Sequence, residues 1–318
     1  MKWVKPAFFA VSIAGAALAA LWLSGNLPGE VSLSVPQKTV HRFGFIDKTG
    51  AFVVEPHFEY AADFSEDMAA VKENYRTGFI DKKGAIVIAP QYDAAGGFHE
   101  GLAAVEIEGR CGYIGQDGML AIPLLFDRAG AFSEGLAPVA VNGAYGYIGR
   151  DGEYAVTPRF RDAAPFTGGV AAVALDKGNA FIDPSGHILA QVGATRIGTL
   201  RDGLAPAEFD GEWGFVDKTG SVIIQPAFDE TGSFSGGMCP VRAGKKWGYV
   251  NPDGAFVIEP QFEEARDFSE GMAAVKTSEK WGYIGPDGQV IIPPKYAKAY
   301  SFRDSLARVW VEVRAASE

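Results

Sequence analysis

The residues most able to ligate a metal in this chain are four histidines and two cysteines, and their spacing argues against a metal centre. A metal site needs ligands that converge. The histidines instead occupy four different positions of a 34-residue repeat: His41, His57, His99 and His187. Cys111 and Cys239 lie 128 residues apart and also at different repeat positions, which favours two buried free thiols over a disulfide. We therefore expect no metal and no cofactor.

Motifs of the common catalytic sites are missing from the sequence. It has no Gly-x-Ser-x-Gly elbow, no phosphate-binding loop and no dinucleotide fingerprint leading from a strand into a helix. The segment Phe-Ser-Glu-Gly recurs at 132–135 and 268–271, and serial use indicates a strand entry rather than a nucleophile. We expect no catalytic residue and a protein that is not an enzyme. A hydrolase would need a converging carboxylate or Ser-His set.

One repeat position carries aromatic side chains that could form a binding surface. It holds tryptophan in the last three copies and tyrosine in an earlier one: Trp213, Trp247, Trp281 and Tyr145. A flat amphipathic ring can stack on a glycan or a peptide, and it can equally cover the face of a sheet. Binding of a glycan would require the three tryptophans to be exposed and aligned.

Composition and charge limit the class of protein. The chain has 318 residues, of which 47% are hydrophobic, so it can bury a substantial core. The net charge is −10, and an acidic chain does not offer the basic face that nucleic-acid binding needs. The 40 glycines and 18 prolines are too many for a helical protein.

The elements that must position these side chains are eight copies of one 34-residue unit. A Gly follows six positions after the start of every copy, and a Phe follows after twenty positions in seven copies. Such a fixed period indicates a repeat architecture. The copies start, without insertion or deletion, at Gly44, Gly78, Gly112, Gly146, Ala180, Gly214, Gly248 and Gly282.

Each unit predicts a three-stranded meander, because its short apolar runs are β-branched or aromatic and end at Gly or Pro. In the last unit the strands are expected at 272–276, 281–284 and 289–292. Alternation along the second strand puts Gly282 opposite Trp281, where a neighbouring ring, Tyr296 or Phe302, is expected to cover it. The terminal segment 306–310 is expected to complete the eighth unit.

The predicted fold class is all-β, a tandem array of eight three-stranded repeats after an N-terminal hydrophobic helix. A constant period permits an open superhelix or a closed propeller-like ring. Three strands per unit is fewer than the usual four of a propeller blade, which favours the open form.

The recurring Lys-Trp-Gly-Tyr-Val/Ile segments at 246–250 and 280–284 resemble the WG-containing repeat family, also called KWG. The Asp-Gly turn, the Ile-Ile-x-Pro strand and the segment 268–275 share the resemblance, which covers residues 40 to 313. It implies a bacterial β-repeat array and carries over no catalytic residue. The namesake Trp is absent from the first five copies, which have Phe43, Thr77, Cys111, Tyr145 and Asn179 at that position.

The fifth unit, 180–213, departs most from the pattern. It has Val192 where Pro usually stands, Ala194 for an aromatic residue, Thr195 for an acidic one and Leu200 for Phe. The departure predicts a seam, a hinge or a surface for a partner, with tolerated drift as the alternative.

Residues 1–24 predict a signal anchor or a signal peptide. Lys2 and Lys5 precede an apolar stretch at 7–23, and a helix from Trp3 to Trp22 would span roughly 28 Å. An uncleaved anchor and a signal cleaved after 17–19 are both compatible with this segment. Residues 25–38 predict a linker, and 39–318 the repeat domain. We expect export, with the domain anchored in the inner membrane and facing the periplasm or cell exterior, or else secreted.

Three functions remain. The favoured one is an interaction scaffold at the cell envelope that displays a repeat surface to an unknown protein partner. The alternative is a glycan- or peptidoglycan-binding module that uses the exposed aromatics. A hydrolase is the third. Nucleic acid is not expected as a partner.

Overall fold

A computed structural model describes residues 39–314, and these residues form 32 β-strands and no helix. The predicted all-β class is therefore confirmed for this part of the chain. In chain order the strands are β1 Thr39–Ile46, β2 Phe52–Phe58, β3 Tyr60–Ala61, β4 Met68–Glu73, β5 Arg76–Asp81, β6 Ile86–Tyr92, β7 Ala94–Ala95, β8 Leu102–Ile107, β9 Arg110–Gly115, β10 Leu120–Phe126, β11 Arg128–Ala129, β12 Leu136–Val141, β13 Ala144–Gly149, β14 Tyr154–Phe160, β15 Asp162–Ala163, β16 Ala171–Ala174, β17 Asn179–Ile182, β18 Ile188–Val192, β19 Arg196–Ile197, β20 Ala205–Phe209, β21 Glu212–Val216, β22 Val222–Phe228, β23 Glu230–Thr231, β24 Cys239–Ala243, β25 Lys246–Val250, β26 Phe256–Phe262, β27 Glu264–Ala265, β28 Ala273–Thr277, β29 Lys280–Ile284, β30 Val290–Tyr296, β31 Lys298–Ala299 and β32 Ala307–Arg314.

The strands form eight antiparallel four-stranded sheets, the blades of a propeller. Blades 1 to 7 are consecutive meanders of four strands, from β3–β6 in blade 1 to β27–β30 in blade 7. Blade 8 contains β31, β32, β1 and β2. Each blade begins at the centre of the ring with a two-residue strand. It ends at the rim with a strand of five to seven residues, which is called the rim strand below.

The expectation of three strands per unit is wrong, because the segment between units forms a fourth strand. In blade 2, for example, Ala94 and Ala95 pair with Glu106 and Val105 of the next strand. Two residues are too short to show a period of two in the sequence, so the pattern predicted only a connection.

The ring is closed, so the expectation of an open superhelix is wrong and its alternative, the propeller-like ring, is present. The terminal strand β32 does not complete the preceding unit but lies between β31 and β1 in blade 8. Contacts with blade 1 continue the ring, since Arg308 Nε donates to Asp63 Oδ1 at 2.7 Å. The amide of Asp67 donates to Asp304 Oδ2 at 2.9 Å. Closure removes the two free ends that an open array would have to cap.

The core lies between the blades and is built from pairs of aromatic rings. In seven of the eight copies the aromatic residue after the first Gly packs on the Phe of the next blade, with ring centroids 4.7 to 4.9 Å apart. These contacts cover apolar faces that a single blade would leave in water. The pairs are Phe45–Phe64, Phe79–Phe98, Tyr113–Phe132, Tyr147–Phe166, Phe215–Phe234, Tyr249–Phe268 and Tyr283–Phe302.

The first Gly of seven units is covered by backbone and not by a ring, so the expectation for Gly282 is wrong. A Cβ on Gly282 would lie 2.5 Å from Ile292 O and 2.7 Å from Pro294 N. Of the two expected covers, Phe302 packs on Tyr283, and Tyr296 lies opposite Trp281 on the neighbouring strand. Proline gives no amide hydrogen to the ladder, and the rim strand bulges inward there.

The fifth copy lacks both the first Gly and the proline of the rim strand. Its rim strand β18 has Val192 in place of proline, and Val192, Gln191 and Ala190 pair in regular register with Asn179, Ala180 and Phe181. The register shift that other blades have beside the first Gly is absent here, although one between Phe181 and Ile182 remains. Ala180 can therefore stand where the other copies have Gly. The third copy has Leu124 at this position with Pro123 before it, and Gly112 is still crowded by Ile122 O at 2.5 Å. The register shift of the rim strand, rather than proline at that one position, is therefore what requires glycine.

The predicted N-terminal segment 1–24 and linker 25–38 lie outside the described residues. Within 39–314 no helix is long and apolar enough to span a bilayer.

Candidate binding surfaces

A cavity of about 880 Å³ lies at the centre of the ring. Six of the blades line it with the segments that follow their innermost strands. Its charged lining residues and its one histidine are Asp63, His99, Arg201, Arg303, Asp304 and Arg308.

One arginine of the cavity is held by structural contacts. The guanidinium of Arg308 pairs with Asp63 at 2.7 Å, donates to Ala61 O and lies 3.7 Å from the ring centroid of Tyr300. Its charge is therefore compensated within the protein.

Two other arginines of the cavity lack an ion pair of this kind. Arg201 and Arg303 are exposed, and neither makes a salt bridge with any residue in the range 39–314. The carboxylate of Asp267 lies close enough to both arginines for their charges to act on it. Its Oδ1 accepts a hydrogen bond from the amide of Ser233 at 3.0 Å. Burial raises the pKa of Asp267, although the charges of Arg201, Arg303 and Arg266 partly counteract this.

The turns around one mouth of the cavity form a ring of links between blades. Two residues with positive φ follow the repeated Phe and its neighbour, as Glu66 and Asp67 follow Phe64 and Ser65. These two residues form a tight turn of a primed type. In six blades the carboxylate of the first turn residue accepts an amide of the next blade's turn. These residues are Glu66, Glu100, Glu134, Asp202, Glu270 and Asp304.

In three blades a serine precedes the turn carboxylate and also links two blades. Ser133 Oγ donates to Phe166 O at 2.7 Å and Ser269 Oγ to Phe302 O at 2.6 Å, and Ser65 makes the same bond to Phe98 O. The Phe-Ser-Glu-Gly segment thus supplies a ring partner, a hydroxyl and a carboxylate to the adjacent blades. Its serial use has a structural explanation.

The aromatic positions singled out in the sequence do not meet in one platform. Tyr145, Trp213, Trp247 and Trp281 lie in blades 3, 5, 6 and 7, each opposite an aromatic residue of its own rim strand. Tyr145, Trp213 and Trp247 are half-buried, whereas Trp281 is 3% exposed. Arg196 lies 5.0 Å over the ring of Trp213, and Arg266 lies 4.9 Å over that of Trp281.

The rim strands form an exposed belt whose edges are interrupted by proline, except in blade 4. Seven rim strands contain at least one Pro, which bends the strand. The rim strand of blade 4, β18, has neither proline nor a charged residue. Ile188 and Leu189 at its start are 49% and 52% exposed.

Histidines and cysteines are not gathered into a site. Cys111 and Cys239 are buried free thiols in blades 2 and 6, and burial raises the pKa of both. Among residues 39–314 no three His, Cys, Asp or Glu side chains are grouped to hold a metal. His99 alone of the histidines lines the central cavity.

Sequence reasoning missed the cavity residues, although a signal was present. The position after the conserved Phe holds Ser or Thr in five copies, and the exceptions are His99, Arg201 and Arg303. Small hydroxyl residues are the rule at this repeat position. The three large basic exceptions therefore identify side chains that do not share the structural role of the others.

The repeats of this chain match the profile of a known family. The profile of the WG containing repeat matches residues 43–76, 78–111, 112–143, 145–177, 213–247, 247–281 and 281–309. The chain belongs to this family. The resemblance stated from the sequence is thereby confirmed. The WG repeat profile leaves out 178–212, nearly the whole of the fifth unit and the region of the proline-free edge.

Solved structures share the fold of this WG repeat protein at low identity. Hsv2p of Kluyveromyces lactis is 8% identical, with a TM-score of 0.50 over 81% of this chain and 97% of that one. The dihydro-heme d1 dehydrogenase NirN in complex with DHE is 10% identical, with a TM-score of 0.52 over 80% and 73%. At this identity the similarity concerns the fold alone. No curated protein matches the chain in sequence.

Proposed function

We propose that this WG repeat protein is a non-enzymatic interaction scaffold that binds a protein partner along the rim strand β18 of blade 4. The observation that carries the proposal is the contrast between this edge and the others. Seven rims contain proline, whereas the eighth has neither proline nor a charged residue and is apolar at its exposed start.

An uninterrupted edge strand can accept another strand. Its outward amides and carbonyls lack partners within the blade, and an extended segment can pair with them as a fifth strand. Proteins usually block such edges with proline or charge. The partner is therefore an extended, largely uncharged segment whose side chains pack beside Ile188 and Leu189.

The location proposed for this scaffold is the cell envelope. It rests on the lysines and the apolar stretch within residues 1–24, which would export the propeller or anchor it in the inner membrane. Protease treatment of intact spheroplasts should degrade the propeller if it lies outside the cytoplasm. Protection of the propeller under conditions that degrade a periplasmic control would contradict this location.

The glycan- or peptidoglycan-binding alternative receives less support. It needs an aligned set of exposed rings, and Trp281 is buried while Trp213 and Trp247 are half-buried in separate blades. Quenching of tryptophan emission by soluble peptidoglycan fragments would be the observation in its favour.

The edge proposal is tested with matched lysine substitutions. Leu189→Lys places a charge on the open edge, whereas Ile223→Lys places one at the equivalent position of β22, whose edge already carries Pro226. A photo-crosslinking residue at position 191 should capture one protein in cells. We expect Leu189→Lys to abolish that adduct and Ile223→Lys to leave it unchanged. Equal adducts in both variants would refute binding at β18.

A further inference from the structure

We propose that the central cavity binds a small organic anion, carrying a carboxylate or a phosphate, between the guanidinium groups of Arg201 and Arg303. This site is independent of the rim strand of blade 4. Both arginines line the same cavity of about 880 Å³ from blades 5 and 8.

The first argument is that Arg201 and Arg303 lack a hydrogen bond between blades that serine makes at the same repeat position. In blades 1, 3 and 7 the serine at this repeat position donates its hydroxyl hydrogen to the Phe carbonyl of the next blade. The arginines at 201 and 303 do not make that bond, and no salt bridge within residues 39–314 replaces it. Residues that break a local structural rule without a compensating contact are typical of functional sites.

The second argument is the charge balance of the cavity. Arg308 and Asp63 neutralise each other. The acids near the two open guanidiniums are Asp267, whose raised pKa reflects its burial, and Glu270, which accepts the amide of Ser305 and pairs with Lys48. Asp304 also lines the cavity and already accepts the Asp67 amide. In a chain of net charge −10, two exposed guanidiniums facing one cavity are an unusual local positive site.

The third argument is size and donor chemistry. The volume falls within the range of about 300 to 1,000 Å³ typical of small-molecule pockets. The planar guanidinium fork matches a carboxylate or phosphate with two parallel hydrogen bonds. Thr167, Thr199 and His99 also line the cavity and can donate to further oxygens of the ligand.

The test uses substitutions that restore the common residue of this repeat position. Arg201→Ser with Arg303→Ser removes both charges and introduces the hydroxyl that other blades use, so the double variant should fold normally. The matched control is Arg128→Ser, which removes an exposed positive charge that does not line the cavity. Calorimetric titrations with citrate and with inorganic phosphate, at constant ionic strength set by chloride, report binding.

We expect saturable binding of at least one probe to the parent protein and to Arg128→Ser, and binding at least tenfold weaker in the double variant. Preference for citrate would assign a carboxylate ligand, and preference for phosphate a phosphorylated one. No saturable binding of either probe, or equal affinity in the double variant, would overturn the site. The photo-adduct at β18 should be unaffected by the double substitution, which separates this test from that of the proposed function.

Discussion

At Gly248 the rim backbone of blade 6 lies against the glycine, beside Pro260, which has no amide hydrogen to give to the neighbouring strand. The same crowding recurs in six other copies, five of which have Pro at the equivalent position, whereas the copy of Gly112 has Pro123 one position earlier. The fifth copy has Ala180 and Val192 instead. Glycine is needed here for the close approach of two backbones, since a Cβ would have no room.

Gly248→Ala should therefore be strongly destabilising. The new Cβ would lie 2.5 Å from Ile258 O and 2.8 Å from Pro260 N, so the rim strand must shift, at a cost of about 2–4 kcal/mol in the free energy of unfolding. The reverse change Ala180→Gly should cost only about 0.5–1 kcal/mol, because no backbone crowds that position. Urea denaturation of both variants measures the difference, and similar losses would refute the crowding.

Asp267 should make the stability of the propeller depend on pH. Burial raises its folded-state pKa above the ordinary 3.8, so the protonated form is favoured by folding and this stability is lost as the pH rises through the folded pKa. Asp267→Asn should consequently be more stable than the parent at pH 7. The gain should shrink as the pH falls toward 3, where the parent carboxyl is protonated.

The control has the opposite sign. The hydroxyl of Ser185 and the amides of His187 and Ser185 lower the pKa of Asp183 to about 2. Its stabilisation is present above pH 3.8 and is lost as the pH falls through about 2. Asp183→Asn should be less stable than the parent at pH 7. Denaturant titrations from pH 2 to 7 give both curves, and a gain for Asp267→Asn that does not vary with pH would exclude a raised pKa.

At the scale of elements, the tight turns around the cavity mouth hold adjacent blades together. Glu134, for example, accepts the amides of Gly168 and Gly169 at 2.6 and 2.9 Å across the boundary between blades 3 and 4. Gly168 and Gly236 replace the carboxylate in two blades, which therefore lack this link.

Glu134→Ala should weaken that boundary by roughly 1–2 kcal/mol, because two amides lose a charged acceptor. Glu134→Gln keeps an acceptor of the same length and should cost less than half as much. Hydrogen exchange of the amides of Gly168 and Gly169 reports the link directly. Unchanged protection of both amides in Glu134→Ala would show that the carboxylate does not hold the turn.

The longer elements of each blade could be predicted from the sequence, whereas the fourth strand and the cavity could not. The strands around Trp281 and Ile292 were evident because β-branched runs, Gly and Pro mark them within every copy. The two-residue innermost strands, such as Ala94–Ala95, have no periodicity, since their pairing depends on the next unit. Arg201 and Arg303 lie 102 residues apart, and only closure of the ring brings them to one cavity.

At the scale of the whole molecule, closure depends on one sheet formed from both ends of the propeller. β32 lies between β31 and β1, and Trp310 stacks on His41 with ring centroids 4.1 Å apart. Tyr296 Oη donates to Gly50 O at 3.2 Å across the boundary between blades 7 and 8. An open array would place none of these residues together.

Removal of residues 307–318 should therefore unfold far more than one strand. The hairpin of β1 and β2 would lose its partner, and a two-stranded sheet is marginal in water. We expect the cooperative thermal transition to disappear or to fall by more than 10 °C. Removal of residues 315–318, which leaves β32 intact, is the control. A truncation at 307 that melts like this control would contradict closure by β32.

Because the first and last strands share blade 8, the number of repeats is fixed by geometry as well as by inheritance. A duplication of one 34-residue unit would not simply lengthen this protein, as it would a rod of stacked units. It would force every angle between neighbours to change at once or leave the circle unfinished. New copies can therefore be gained only in steps that produce another complete circle, while diversification within existing copies, as in residues 180–213, remains open.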